Sequence, residues 1–230
     1  MVTVYGMADS GNCYKVKLAL ETLALPYRWV EVDSTRGGTR TAEFLARNPN
    51  GKVPTLQLED GSHLPESGAI LFYLARRTGR FMPKDERRQV EVLQWLFWQV
   101  GNQGPMAGQL SHFVNYAPGE NAYARARYAN EYDRCLGVLE RRLEGRAFIL
   151  DDYSIADMIS WPWVLIAKPL GQSLEPFSNV RRWRQTIKER PAVRAGVDLC
   201  RELRRSAPPS EEERRNLFNQ TSRTATDAAG

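Results

Sequence analysis

The chain has 230 residues, 42% of them hydrophobic, with 32 basic side chains against 27 acidic ones for a net charge of +5. That is ample apolar material for one large or two small buried cores. The charges run along the whole chain without a dense Lys/Arg block or an interleaved aromatic platform, which argues against nucleic-acid binding, and no apolar run approaches the roughly 20 residues of a membrane span. In chain order, Val2 to Tyr5 reads as a strand, Val16, Leu20 and Leu23 as one face of a helix, and Tyr27 to Val32 as a second strand. A short helix over Ala42 to Arg47 leads to the turn cluster Asn48-Pro49-Asn50-Gly51. A strand pair folded at Asp60-Gly61 and a third helix closing at Gly79 follow. This β-α-β-α-β-β-α order predicts a thioredoxin-like domain over residues 1–80.

Gly79-Arg80-Phe81-Met82-Pro83 reads as an interdomain linker. Beyond it the periodicity is helical, predicting an all-helical domain over 87–205. Val90, Leu93, Leu96, Phe97 and Val100 share a face, and a long amphipathic segment runs from Ala122 to Leu143. Ser154-Ile155-Ala156-Asp157 has the spacing of a capping box with Asp in place of Glu, and it opens an apolar helix containing Ile159, Trp161 and Trp163. Val180, Trp183 and Ile187 mark a further helix, and Pro191 starts the last. Residues 206–230, rich in Ser, Thr, Pro, Ala and charge, are expected to form a disordered tail.

Cys13, Cys135 and Cys200 are widely separated and odd in number, as reduced thiols are. With a strand at Met1 to Tyr5 rather than a leader peptide, a cytoplasmic protein is expected. His63 and His112, the only histidines, lack ligand-like spacing to a cysteine, so no metal is expected.

Two segments suit a small anionic peptide. In Val53-Pro54-Thr55 a proline at the mouth of a strand removes a ladder donor and suits a cis bond, leaving the Val53 N–H and C=O to pair with an incoming backbone as if extending the sheet edge. In Glu66-Ser67-Gly68-Ala69-Ile70 a helix begins. The Ser67 hydroxyl and the first free N–H groups suit a carboxylate, and Glu66 suits an ammonium.

With those segments in place, residues 1–205 resemble a cytosolic glutathione transferase. The stretches Trp95 to Gly101, Gly104 to Gln109, His112-Phe113, Tyr123-Ala124, Arg127-Tyr128 and Tyr153 to Asp157 are similar to the bacterial nu class and the related fungal nitrogen-regulator proteins. The resemblance implies a homodimer with glutathione as co-substrate. It also implies an activated thiol passed to a small disulfide, a peroxide or an electrophilic carbon. A binding or regulatory protein with little catalysis is the alternative, because fold alone does not set activity.

A free thiol titrates near pKa 8.5, so lowering it by about two units needs on the order of 2.7 kcal/mol of preference for the anion. Ser10 and Asn12, at the mouth of the first helix, are the expected catalytic donors. Asn12 also falls where the resembled class places an asparagine beside the thiol. The alternative nucleophile is Cys13, since beta and omega classes carry a cysteine near this point; Tyr5 is a third candidate, expected instead to pack in the sheet. Lys52 and Thr39, the latter in place of the family's usual glutamine, fall at the glycyl end. Arg127 matches an arginine that relatives send to the glutathione carboxylates. Glutathione binding is therefore expected from Asn12, Thr39, Lys52, Val53, Glu66, Ser67 and Arg127. Trp98, Gln99, Met106, Phe113 and Tyr116 are the resemblance's candidates for walls of the second-substrate pocket.

Overall fold

The computed structural model describes residues 1–198 and 209–221. The first domain holds a four-stranded sheet of order β2-β1-β3-β4, with β1 (Val2–Gly6), β2 (Tyr27–Glu31), β3 (Thr55–Gln57) and β4 (His63–Pro65). β1 pairs parallel to β2, with Val4 opposite Trp29, and antiparallel to β3, with Val4 opposite Leu56. A parallel neighbour requires a crossover, and α1 (Gly11–Leu23) supplies it. The helix starts at Ser10, whose Oγ accepts from Cys13 N at 3.3 Å, and stops at Ala24, which turns left-handed at φ 54°.

α1 and α3 (Ser67–Thr78) cover one sheet face through Val16, Leu20, Ile70 and Leu74, all essentially sealed from solvent. The short α2 (Ala42–Arg47) covers the other face, burying Phe44 against Tyr5 and Val32. The expected β-α-β-α-β-β-α order is therefore the observed one.

The linker is tied down where Ile155 N donates to the Phe81 carbonyl at 3.1 Å and the Phe81 ring meets Tyr153 edge-on. The second domain comprises α4 (Glu86–Trp98), α5 (Gly104–Asn115), α6 (Ala122–Arg142), α7 (Ile155–Leu165), α8 (Ser178–Lys188) and α9 (Pro191–Asp198). α7 is apolar on nearly every side, as a helix buried all round must be, and it packs on α1, α3 and α4. Asp157 completes the capping box at its start: its carboxylate accepts from Ser154 N, Ile149 N and Trp183 Nε1. That one side chain ties together the beginning of α7, the loop before it and α8.

Two features depart from expectation. α4 does not end with its apolar face but continues through a single π turn, Gln99–Gln103, directly into α5; π turns of this kind concentrate at functional sites. Within the predicted disordered tail, Glu211–Phe218 forms a helix, α10. Ser210 and Glu213 cap it reciprocally, three glutamates in its first turn favour the helix dipole, and Phe218 gives it an apolar anchor. Polar composition had masked these local signals. Cys200 and the predicted end of the helical domain at 199–205 lie outside the described residues.

Candidate functional site

The turn between α2 and β3 forms one wall of the site. Asn48 is 2% exposed, and its side chain threads that turn: Nδ2 donates to the Lys52 carbonyl at 2.7 Å and Thr55 Oγ1 at 3.3 Å, while Oδ1 accepts from Asn50 N at 3.0 Å. Gly51 turns left-handed at φ 60° and has the Arg40 guanidinium and the Thr39 carbonyl close to where a side chain would begin, which favours glycine. The Val53-Pro54 bond is cis, and the ladder starts at Thr55, leaving Val53 beyond it. Because β3 is an inner strand, an incoming backbone meets Val53 at the end of the sheet and not along an edge strand.

Facing this turn is the start of α3. Glu66 has φ 70° and ψ 112°, a region few residues other than glycine occupy. Its side chain makes no capping bond to α3, which leaves the first N–H groups of the helix and the carboxylate itself available to a ligand. Asn12, in the first turn of α1, closes the third side. Together Asn12, Asn48, Asn50, Lys52, Val53, Pro54, Glu66 and Ser67 line a cavity of about 220 Å³. Three loops brought to one end of the sheet thus combine an exposed acid, two helix N-termini, a free backbone pair and a lysine. Such a set matches a zwitterionic peptide with separate carboxylates. Burial and the Arg40 charge hold the Lys52 ammonium below the usual lysine range.

Of the expected site residues, Asn12, Lys52, Val53, Glu66 and Ser67 meet in this cavity. Ser10 stands at the head of the same helix, two residues before Asn12. It already accepts from Cys13 N, so its hydroxyl proton is free to point elsewhere. Thr39 does not line the cavity: it is 2% exposed, packed behind the Gly51 turn. Arg127 does not line it either, because its guanidinium is exposed on α6 and pairs with Glu131 at 2.7 Å.

Cys13 lacks the geometry of a nucleophile. It is 1% exposed, its sulfur accepts from Met7 N at 3.4 Å, and burial pushes its thiol up to about 12. The helix-start position that suggested a reactive thiol points the side chain into the core, where an anion is penalised. Tyr5 packs in the sheet as expected, its hydroxyl donating to Gln57 Oε1 at 3.3 Å.

A second cleft, of about 770 Å³, shares Lys52 with the first. α5 contributes His112, Tyr116 closes the helix, and α10 supplies Arg214, Arg215 and Phe218. Asn216 fixes α10 to the first domain by donating to the Thr35 carbonyl at 2.8 Å. Of the expected pocket walls only Tyr116 lines this cleft. Phe113 stacks on Tyr128, Trp98 meets Trp95 edge-on, and Gln99 is fully buried.

Sequence reasoning misses one charged group at the site, Lys15. It sits on the core side of α1 at 1% exposure, and its ammonium donates to Gln99 Oε1 at 2.7 Å. The available signal is a lysine placed three and four residues before Leu18 and Ala19, on an otherwise apolar face.

Residues 4–81 match the family model for the glutathione S-transferase N-terminal domain and residues 107–191 that for the C-terminal domain. The chain is 42% identical over 200 residues to the disulfide-bond oxidoreductase YfcG of Escherichia coli, covering 84% of this chain and 93% of that one. A glutathione transferase from Burkholderia graminis, solved with two glutathione molecules per subunit, is 39% identical with a TM-score of 0.78, covering 87% of this chain and 88% of that one. Yeast Ure2p in complex with glutathione is 30% identical with a TM-score of 0.81, covering 85% of this chain and 97% of that one.

Proposed function

The chain belongs to the glutathione S-transferase family, and we propose that it is a nu-like, glutathione-dependent disulfide-bond oxidoreductase. The observation that carries this reading is the pairing of a small peptide-shaped cavity with a larger cationic cleft, joined at Lys52. Glutathione lies in the first. Its γ-glutamyl carboxylate meets Ser67 and the start of α3, its ammonium meets Glu66, its cysteinyl backbone pairs with Val53, and its glycyl carboxylate approaches Lys52. The sulfur then falls at the head of α1, where Ser10 and Asn12 donate to the thiolate.

The disulfide occupies the second cleft. The glutathione thiolate attacks one of its sulfurs, forming a mixed disulfide and releasing the other half as a thiolate that takes up a proton. A second glutathione thiolate then attacks the glutathione sulfur of the mixed disulfide. Glutathione disulfide forms, the remaining half leaves as a thiol, and two glutathiones are oxidised for one disulfide reduced. The names and ligands of YfcG and of the Burkholderia graminis protein support this reading. Peroxides and electrophilic carbon are further acceptors for the same thiolate.

A homodimer is part of the proposal, supported by Val90 and Phe97 on α4 and Val100 just beyond it, 60%, 68% and 40% exposed in the single chain. So is a cytoplasmic site of action, where glutathione is reduced; no helix among the described residues is long and apolar enough to cross a membrane. The likeness to Ure2p favours one second reading, a glutathione-binding regulator. Turnover of hydroxyethyl disulfide with glutathione decides between them. A rate well above the uncatalysed one is expected, and binding without turnover overturns the enzymatic reading.

A further inference from the structure

Behind Ser67 lies a buried cation, the ammonium of Lys15. The Lys15 ammonium donates to Gln99 Oε1 at 2.7 Å, lies 3.5 Å from Ser67 Oγ, and sits 5.7 Å from the centre of the Trp163 ring. Among the described residues no carboxylate forms an ion pair with it. An ammonium sealed from water with only neutral acceptors is costly. The fold nevertheless builds a support for it. Gln99 is the first residue of the π turn, and Gly104 closes that turn with no side chain because a Cβ there would stand 2.8 Å from Gln99 Nε2. The glutamine carbonyl is thereby aimed at Lys15.

We propose that Lys15 is a positioning residue for the ligand carboxylate: as an ammonium it donates to Ser67 Oγ, so that the Ser67 proton points outward to the anion at the start of α3. The proposal rests on the reading of this cavity as the glutathione site. A neutral Lys15 offers a lone pair instead, and Ser67 turns its proton inward. Carboxylate capture and Lys15 protonation are then linked, each favouring the other.

The surroundings place this switch in a useful range. Burial lowers the Lys15 ammonium to about 7, against the opposing pull of the Glu66 carboxylate; Cys13, the other titratable group beside it, stays a neutral thiol in this range. From the helical domain it meets neutral partners, Gln99 and Trp163. Below that value Lys15 is charged in the empty protein; above it, binding an anion beside Ser67 must draw in a proton. Affinity for the carboxylate therefore falls as pH rises from 6 to 8.

The test uses S-methylglutathione, which keeps both carboxylates and has no thiol to titrate, with calorimetry on the intact protein at pH 6, 7 and 8. Wild type is expected to lose about fivefold in affinity across this range, the part of a one-unit pKa coupling that falls between pH 6 and 8. At pH 8 its binding heat should depend on the ionisation enthalpy of the buffer, reporting proton uptake. Lys15→Met should bind weakly with neither dependence. Gln99→Glu, which leaves Lys15 in place and gives it a counterion, should move the loss of affinity to higher pH. A wild-type affinity that is flat in pH with no proton uptake overturns the proposal while leaving the glutathione site intact; no binding at any pH overturns both.

Discussion

The ring of Phe218 packs edge-on against that of His112 with centroids 4.5 Å apart, and it reaches Tyr116 at 5.2 Å. Through this contact a helix from the far end of the chain becomes a wall of the cleft beside the cavity of Asn12, Lys52 and Glu66, and it brings Arg214 and Arg215 with it. Removing the chain from Ser210 onward should raise KM for a doubly anionic acceptor such as dithiodiglycolate by about tenfold, the value of one or two charge-assisted contacts. KM for the neutral hydroxyethyl disulfide should stay level or fall. Equal changes for both acceptors in steady-state assays would show that α10 does not select by charge.

Ser10 caps α1, and the donor role proposed for it can be separated from that cap by one substitution. Ser10→Ala removes the cap on α1, worth about 1 kcal/mol in chemical denaturation. It also removes the proposed donor to the glutathione sulfur, a bond worth about 1.5–3 kcal/mol when the acceptor is charged. The thiol pKa of bound glutathione, followed by thiolate absorbance, should rise by about one unit, and the rate profile should shift to higher pH by the same amount. Ser10→Thr should restore most of both. An unchanged profile with the stability loss present would leave Ser10 as a cap alone.

Cys13 should be dispensable for thiol transfer. Its sulfur is inside the core and its thiol is held up at about 12, so at pH 7.5 thiolate is negligible. Cys13→Ala is expected to retain turnover within about twofold and to lose about 1 kcal/mol of stability from the small cavity it leaves. Native protein mixed with glutathione disulfide should show no adduct at this position by intact mass. Loss of turnover together with a glutathione adduct on Cys13 would restore the cysteine mechanism.

Asp157 predicts a stability difference of defined sign. Burial raises its carboxyl to about 6, from 3.8 in the unfolded chain, despite the donors around it. Between those values the folded protein holds the proton more tightly, so the contribution of this group to stability is full below pH 4 and is lost as pH rises through 6. Unfolding free energies of wild type and Asp157→Asn, measured in urea from pH 4 to pH 7, should therefore move against the wild type by about 2–3 kcal/mol over that interval. A constant difference would mean that the donors from Ile149, Ser154 and Trp183 cancel the burial.

Much of the fold is legible because it rests on short-range signals. Val2 to Tyr5, the α1 stripe and the Asp60-Gly61 hairpin each fit one local period or turn. The Val53-Pro54 and Glu66-Ser67 pairs are also local, since each needs only a proline at a strand mouth or a helix start to be recognised. Where local pattern misleads, a competing principle is identifiable. Cys13 stands at a helix start, which favours thiolate, but the facing of its Cβ into the core decides its chemistry. Thr39 and Arg127 are placed by resemblance in sequence, yet one side chain is buried behind a turn and the other points from α6 into solvent, paired with Glu131.

The order of residues alone pointed to the two-domain layout and to most of the residues that line the first cavity, because each depends on neighbours within a few positions. Only the folded chain decided that Lys15, Ser67 and Gln99 meet, and that α10 closes the second cleft. Those contacts join residues 52, 84 and 181 positions apart. They come from how distant segments pack, Lys15 on Ser67 within the first domain and the other two across the domain boundary, which no periodicity in a single segment encodes.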